Sequence, residues 1–313
     1  MAKLATRLRK ELGDWREHLP PVWRQHFDGV GLDFDGVDSE LSLSPSSRIW
    51  PQARNKDTGG PANASTFRAF MALAPEDVRV VIFGNDPYTR IEQATGRSFE
   101  QGDLSNWKQD LRVARRVSPS LKSILCAAAA TAPGAQDYDL VDRRAVVDYK
   151  PKTTVGDALG RDPVWFCHAE LVHALLSGGV CLPSPTRLFD RWTKQGVLWL
   201  NRTLTYTKWD DIGKPGHRRS HQRMWKPFTD RAIEVLVGLA IQRPIVFVFW
   251  GGEARELRAQ VRKTAKAKGA PPQAVRETAA GHPQWPPGYF QEGNPLAAIN
   301  EAIGSAGAPV RWA

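Results

Sequence analysis

Three stretches, VRVVIFG (78–84), GVLWLN (196–201) and PIVFVFWG (244–251), are near-continuous runs of apolar residues. They limit the possible folds more than any other feature. A strand with one wet face alternates apolar and polar side chains, whereas a strand covered on both faces does not. Such strands belong in a sheet sandwiched between helices. A fourth, more mixed stretch, AVRETAAG (274–281), is consistent with a further strand. Helical patterns lie between them. SLKSILCAAAATA (120–132) starts after Pro119 with Ser120 as its expected N-cap, FTDRAIEVLVGLAIQ (228–242) is long and amphipathic, and GEARELRAQVRKTAKAK (252–268) follows a glycine pair. Strands alternating with helices predict an α/β fold, a three-layer α/β/α sandwich around a short, mostly parallel four-stranded sheet.

The opening, MAKLATRLRKELGDW, lacks the apolar core and cleavage site of a secretory leader and reads as an amphipathic helix with Leu4, Leu8 and Leu12 on one face. We divide the chain into a helical extension at 1–48 and an α/β domain at 49–313. Within that domain, about 133–188 breaks the alternation and is read as an insertion packed on the sheet. Residues 52–63 read as an exposed loop. No run approaches membrane-span length. Three irregularly spaced cysteines (Cys126, Cys167, Cys181) suit neither a disulfide framework nor an iron–sulfur cluster, so a reducing, cytoplasmic setting is expected. His168 and His173 near Cys167 lack a second cluster to complete a tetrahedral metal site, and no metal or organic cofactor is expected. The 43 basic against 33 acidic residues give a net charge of +10, which biases the protein toward polyanions without naming one.

Polar residues cluster just beyond the strands. The first runs into Asn85-Asp86-Pro87-Tyr88, the second into Asn201-Arg202-Thr203, the third into Gly251-Gly252 and the fourth into Gly281-His282-Pro283. In open parallel sheets, ligands bind outside the carboxyl ends of the strands. If the four strands run the same way, a carboxylate, an amide, an imidazole and free backbone N–H groups share one rim. Each residue also has a plainer reading: Asp86 as a turn residue, Asn201 as a strand-end amide, His282 as a surface histidine.

These residues carry a resemblance to the uracil-DNA glycosylase family, closest to its classical family 1 type. GNDPY (84–88) resembles the family's GQDPYH motif, PSLKSI (119–124) its proline-serine loop, and VFVFWGG (246–252) its LLWGS. GVLWLNRTLTYT…SHQRMWKPFTD (196–230) is similar to GVLLLNTVLTV…SHANKGWEQFTD, and GHP (281–283) to the start of HPSPLS. IWPQ, FRAF and the closing RW have counterparts too, so the likeness runs from about 49 to 312 around the insertion.

The resemblance implies excision of uracil flipped out of DNA, with water as co-substrate. It places Asp86 beneath the sugar, to stabilise a cationic transition state and position water, and His282 as a donor to uracil O2 as negative charge develops there. Asn201 would read the uracil edge, accepting from N3–H and donating to O4. Phe99 would stack on the base or simply serve the core, Tyr88 would exclude thymine's methyl, and the turn at Asn85 would contact the base. Phosphate contacts would come from Ser120, Gly251 and Gly252, and from Arg218, Arg219, Ser220 and His221 in the basic stretch KPGHRRSHQR (214–223).

Four departures matter. Thr89 stands where the first motif ends in histidine, Asn85 where it has glutamine, and Gly252 where the third motif has serine; HPSPLS has become HPQWPP. The leucine that fills the vacated base position is thereby lost, and Trp285 is the candidate wedge. The expected partner is uracil-containing DNA, single- or double-stranded, bound by a monomer away from membranes. The alternatives are a glycosylase of broader or altered base specificity, a catalytically weak DNA-binding homologue, or an enzyme of free nucleosides. Absence of a G-x-G-x-x-G or P-loop pattern counts against the last.

Overall fold

A computed structural model describes residues 2–52, 59–113, 115–146, 164–207 and 216–313. The longer elements are α1 (Leu4–Leu12), β1 (Val80–Gly84), α2 (Pro119–Ala129), α3 (Phe166–Ser177), α4 (Pro185–Thr193), β2 (Val197–Asn201), α5 (Gly216–Gln242), β3 (Ile245–Trp250), α6 (Ala254–Ala267), β4 (Val275–Ala280) and α7 (Pro295–Ile303). The four strands form one parallel sheet in the order β4-β3-β1-β2. The apolar runs are continuous because both faces are covered. Val81, Phe83, Leu198, Phe247 and Phe249 face one core, and Val80, Ile82, Trp199, Val248 and Trp250 face the other. β4 reads as mixed because its residues are mostly half-buried, whereas β2 at the opposite edge is fully buried.

Leu4, Leu8 and Leu12 are all fully buried, as the amphipathic spacing predicts. They do not form a core of their own. Trp15, Trp23 and Phe27 carry the N-terminal segment into the same core as β1 and α5, with Phe27 stacked on Phe228 at 4.4 Å. The proposed insertion is tied in similarly where it is described: Cys167, Leu171 and Leu175 of α3 pack in the core that covers Val80 and Ile82. Residues 53–58 of the loop expected at 52–63, and residues 147–163 of the insertion, lie outside the described residues.

Two sequence-based boundaries need correction. The N-cap of α2 is Ser118, whose hydroxyl accepts from Leu121 N–H, so Pro119 occupies the first helical position and Ser120 lies inside the first turn. The larger correction concerns 214–223, which reads as a charged loop. From Gly216 onward it is the start of α5, a 27-residue helix that runs straight through Pro227. An interior proline costs roughly 3 kcal/mol. Burial of Met224, Trp225 and Phe228 around it offsets that loss, each such side chain contributing about 1.5–3 kcal/mol.

Candidate active site

Parallel register brings the strand ends to one rim. Gly84 pairs with Asn201 across β1 and β2, Phe83 with Phe249 across β1 and β3, and Ala280 with Trp250 across β4 and β3. At this rim lies a pocket of about 150 Å³, lined by Asn85, Phe99, Trp250 and His282 and, on its outer side, by Arg218 and Glu253. It is well below the roughly 300 Å³ at which drug-sized ligands are taken, and suits one small ring.

Gly84 closes the pocket floor by having no side chain. A Cβ there would overlap Oδ1 of Asn201 and lie 2.5 Å from Cβ of Ser98. Asn201 is 1% exposed, and its Oδ1 has no hydrogen-bond partner among the described residues. Oδ1 of Asn85 is likewise buried and unpartnered there. Buried acceptors are nearly always satisfied, so two orphans beside one pocket mark where a donor-bearing ligand would fit.

Asp86 is held from three directions. Its Oδ2 accepts from Nε of Arg218 at 2.6 Å and from Nδ2 of Asn85 at 3.0 Å, and its Oδ1 accepts from the Thr203 hydroxyl. The Arg218 guanidinium also reaches Glu253 at 3.5 Å. Burial is the largest single influence and opposes the Arg218 charge, but the Asp86 carboxylate, Glu253 and Tyr206 together raise its pKa above the ordinary value.

His282 sits at the pocket mouth, its ring 6.2 Å from that of Phe99. Gly251, with φ +87°, makes room for it, since a Cβ there would come within 2.9 Å of the His282 Cβ. Gln284 N–H donates to Nδ1 of His282 at 3.1 Å, which leaves the ring proton on Nε2. Partial burial lowers the pKa of the ring, although the residue as a whole is exposed. His282 is thus a neutral donor through Nε2.

Phe99 is half-buried and adopts φ +61°, a conformation unusual for a non-glycine residue. The hydroxyl of Tyr88 donates to its carbonyl at 3.1 Å and also bonds Ser118 at 2.8 Å. Behind it, Glu100 pairs with Arg68 at 2.9 Å and with Arg97 at 3.3 Å, and Arg97 also reaches Asp190 at 2.6 Å. Tyr88 therefore acts on the loop that carries Phe99 and is not among the residues lining the pocket.

The expected phosphate contacts divide. Arg219 is exposed, but Arg218 is turned inward onto Asp86. Ser220 and His221 are buried. Ser220 Oγ accepts from Asp38 N–H at 3.1 Å, and His221 lies between the hydroxyls of Thr205 (2.9 Å) and Thr207 (2.7 Å) with its pKa lowered to about 3, first by burial and then by His217. Both side chains are bonded to the protein's own groups and shielded from solvent. The helical period turns those positions into the core once α5 begins at Gly216. The Gly251 N–H is also committed, donating to Ala280 O at 3.0 Å, so only Gly252 of that turn is exposed. Ser120 is half-buried in the first turn of α2. Trp285 is 57% exposed and packs edge-to-face on Trp165 of the insertion at 4.9 Å. Thr203 and Glu253 escaped the sequence reading, because neither is chemically distinctive until it meets Asp86 or Arg218.

Cys126, Cys167 and His168 gather elsewhere, with ligand atoms within 4.8 Å of one another. They are knit internally. The Cys126 thiol donates to Cys167 O at 3.2 Å, and His168 Nε2 bonds Ser123 at 3.0 Å. Burial, then Lys122, lowers the His168 pKa to about 3. No helix among the described residues is long and apolar enough to cross a membrane.

A parallel α/β sheet that brings a carboxylate, an amide and an imidazole to its carboxyl edge, beside a small pocket, defines an α/β protein with a candidate ligand site at that rim. Comparison narrows the class. No protein-family model matches the chain. It is 31% identical over 249 residues to a uracil-DNA glycosylase of Bordetella pertussis, covering 78% of this chain and 67% of that one. Against a uracil-DNA glycosylase of Exiguobacterium sibiricum the identity is 29% over 218 residues, covering 68% and 69%. The structure superposes on mimivirus uracil-DNA glycosylase with TM-score 0.55 and 20% identity, covering 100% and 94%. For the wild-type UNG of Nitratifractor salsuginis the values are 0.54 and 18%, with coverage of 97% and 98%. The structural matches establish the fold. The sequence matches establish descent: the chain belongs to the uracil-DNA glycosylase family, hydrolases acting on N-glycosyl bonds.

Proposed function

We propose that the protein excises uracil from DNA by hydrolysing the bond between C1′ and N1 of a flipped-out deoxyuridine. The observation that carries this reading is a base-sized pocket lined by Gly84, Asn85, Arg218 and His282, with Asn201 directly beside Gly84 and Asp86 bonded to Asn85 and Arg218, although neither Asn201 nor Asp86 itself lines it. In the reaction, the C1′–N1 bond breaks and leaves a cationic sugar and a uracil anion. The Asp86 carboxylate stabilises the sugar and holds the water whose oxygen joins C1′, and it takes the proton that this water sheds. Nε2–H of neutral His282 donates to uracil O2, where charge builds up. A neutral donor suits this role because it need not give up its proton.

Asn201 accepts from uracil N3–H through its orphaned Oδ1 and donates to O4. Cytosine presents the opposite polarity and would leave buried groups unpaired. Phe99 stacks on the base. Tyr88 sets the position of Phe99 through its carbonyl, and so limits room for a methyl at C5 indirectly. Trp285, backed by Trp165, is the wedge that fills the vacated stack. Arg219 and the Gly252 turn supply backbone contacts. An open groove of about 540 Å³ beside Thr89, bordered by Ser46, Arg48 and Arg90, offers the flanking strand a path. We assign the enzyme to the cytoplasm as a monomer acting on single- or double-stranded uracil DNA.

The test is an alkali-cleavage assay on uracil oligonucleotides with wild type, Asp86→Asn and Asn201→Asp. Asp86→Asn abolishes most cleavage, and Asn201→Asp shifts activity toward cytosine, because a carboxylate accepts where the amide donated. Two variants indistinguishable from wild type would refute the assignment.

A further inference from the structure

We propose that Arg218 is a positioning residue for Asp86, a role that rests on the glycosylase reading above. The carboxylate has about four lone-pair sites. Three are taken, by Arg218 Nε, Asn85 Nδ2 and the Thr203 hydroxyl, and one is left for water. These donors come from three separate segments: the first turn of α5, the loop after β1 and the loop after β2. Together they fix the direction of the remaining lone pair. Arg218 supplies the charged member of the set, at 2.6 Å, to a carboxylate whose side chain is 16% exposed.

The first turn of α5 is built to present this side chain. Ser220 is anchored to the backbone of Asp38, and His221 is locked between Thr205 and Thr207. These two buried contacts fix the turn from the core side, while Arg218 points along its other face into the pocket wall. Glu253, at the N-terminal end of α6, receives the far edge of the guanidinium at 3.5 Å. The guanidinium is thereby held by two acids, and it cannot serve as a proton donor or acceptor in the reaction because it stays charged. What it can do is aim Asp86. Thr89 is consistent with this. The residue that ends the first motif carries no imidazole here and is exposed, so the motif itself offers Asp86 no cation.

A simple phosphate contact would act differently. It would set DNA affinity and its salt dependence, whereas a positioning residue acts on the chemical step through Asp86. Single-turnover excision by wild type, Arg218→Ala, Arg218→Gln, Asp86→Asn and the Asp86→Asn/Arg218→Ala double variant separates the two, alongside binding to a non-hydrolysable uracil oligonucleotide. We expect Arg218→Ala to lower the maximal rate at least tenfold and change affinity less than threefold. Millimolar guanidinium ion should restore part of the Arg218→Ala rate, which also shows that the variant is folded. Arg218→Gln, which keeps most of the stem, should be as slow as Arg218→Ala without added ion. The double variant should be no slower than Asp86→Asn alone. A loss confined to affinity, or losses that multiply in the double variant, overturns the proposal while leaving the glycosylase reading intact. A wild-type protein inactive on uracil DNA overturns both.

Discussion

Replacing Gly84 by alanine is the smallest change that should disable the site. Gly84 is the last residue of β1, between Asn201 on the neighbouring strand and Ser98 in the Phe99 loop. The added Cβ would overlap Asn201 Oδ1 and stand 2.5 Å from the Ser98 Cβ, where ordinary contact begins near 3.4 Å. Neither neighbour can swing into solvent, since Asn201 is 1% and Ser98 0% exposed. The base-reading amide must therefore move by roughly 1 Å, the scale at which misplaced groups lose about 10²-fold in rate. Overpacking of this kind costs about 1–3 kcal/mol, and Tm should fall by roughly 2–8 °C. The assay pairs thermal unfolding with excision measured below Tm, so that loss of fold and loss of chemistry separate. Gly238→Ala is the control: its Cβ meets nothing within 4 Å, in the interior of α5. It should leave excision unchanged and gain roughly 0.5–1 kcal/mol. Gly84→Ala excising uracil within twofold of wild type would mean that Asn201 does not read the base.

Three further outcomes are expected. Trp285→Ala should depress excision from duplex DNA far more than from single strands, and equal losses on both substrates would remove the wedge role. Glu100→Ala leaves Arg68 and the 1%-exposed Arg97 side chain short of a partner; breaking a buried pair costs about 3–5 kcal/mol, and Asp190, still bonded to Arg97 at 2.6 Å, should keep the loss near the lower end. Urea midpoints of the two proteins measure it, and an unchanged midpoint refutes the buried network. Acid should destabilise the protein through His168 and His221, whose pKa values burial lowers to about 3. The unfolded chain takes up these protons below about pH 6.5 while the folded one does not, so stability falls as pH drops from about 6.5 toward 3, by about 1.4 kcal/mol per pH unit per histidine. Urea titrations across that window should show a shallower pH slope for His221→Gln, and an identical slope would show that His221 is not held neutral.

The sequence alone determined the architecture and the composition of the rim. Continuous apolar runs bounded by turn residues suit strands covered on both faces, and the residues after each strand end follow from chain connectivity. Strand direction then put Asn85, Asn201, Gly251 and His282 together. That reasoning is local, because side-chain period and strand polarity are properties of short segments. It failed where function depends on facing. KPGHRRSHQR reads as one basic surface, yet α5 starts inside it, and a 100° step per residue sends Arg218 to Asp86, Arg219 to solvent and Ser220 and His221 into the core. Pro227 hid that helix, because the burial that tolerates it comes from residues distant in sequence, such as Phe27 and Phe67. The pairing of Arg218 with Asp86 spans 132 positions, and that of Trp285 with Trp165 spans 120. Only tertiary packing decides such meetings, since an ion pair or ring contact depends on distance in space and leaves no periodic trace along the chain.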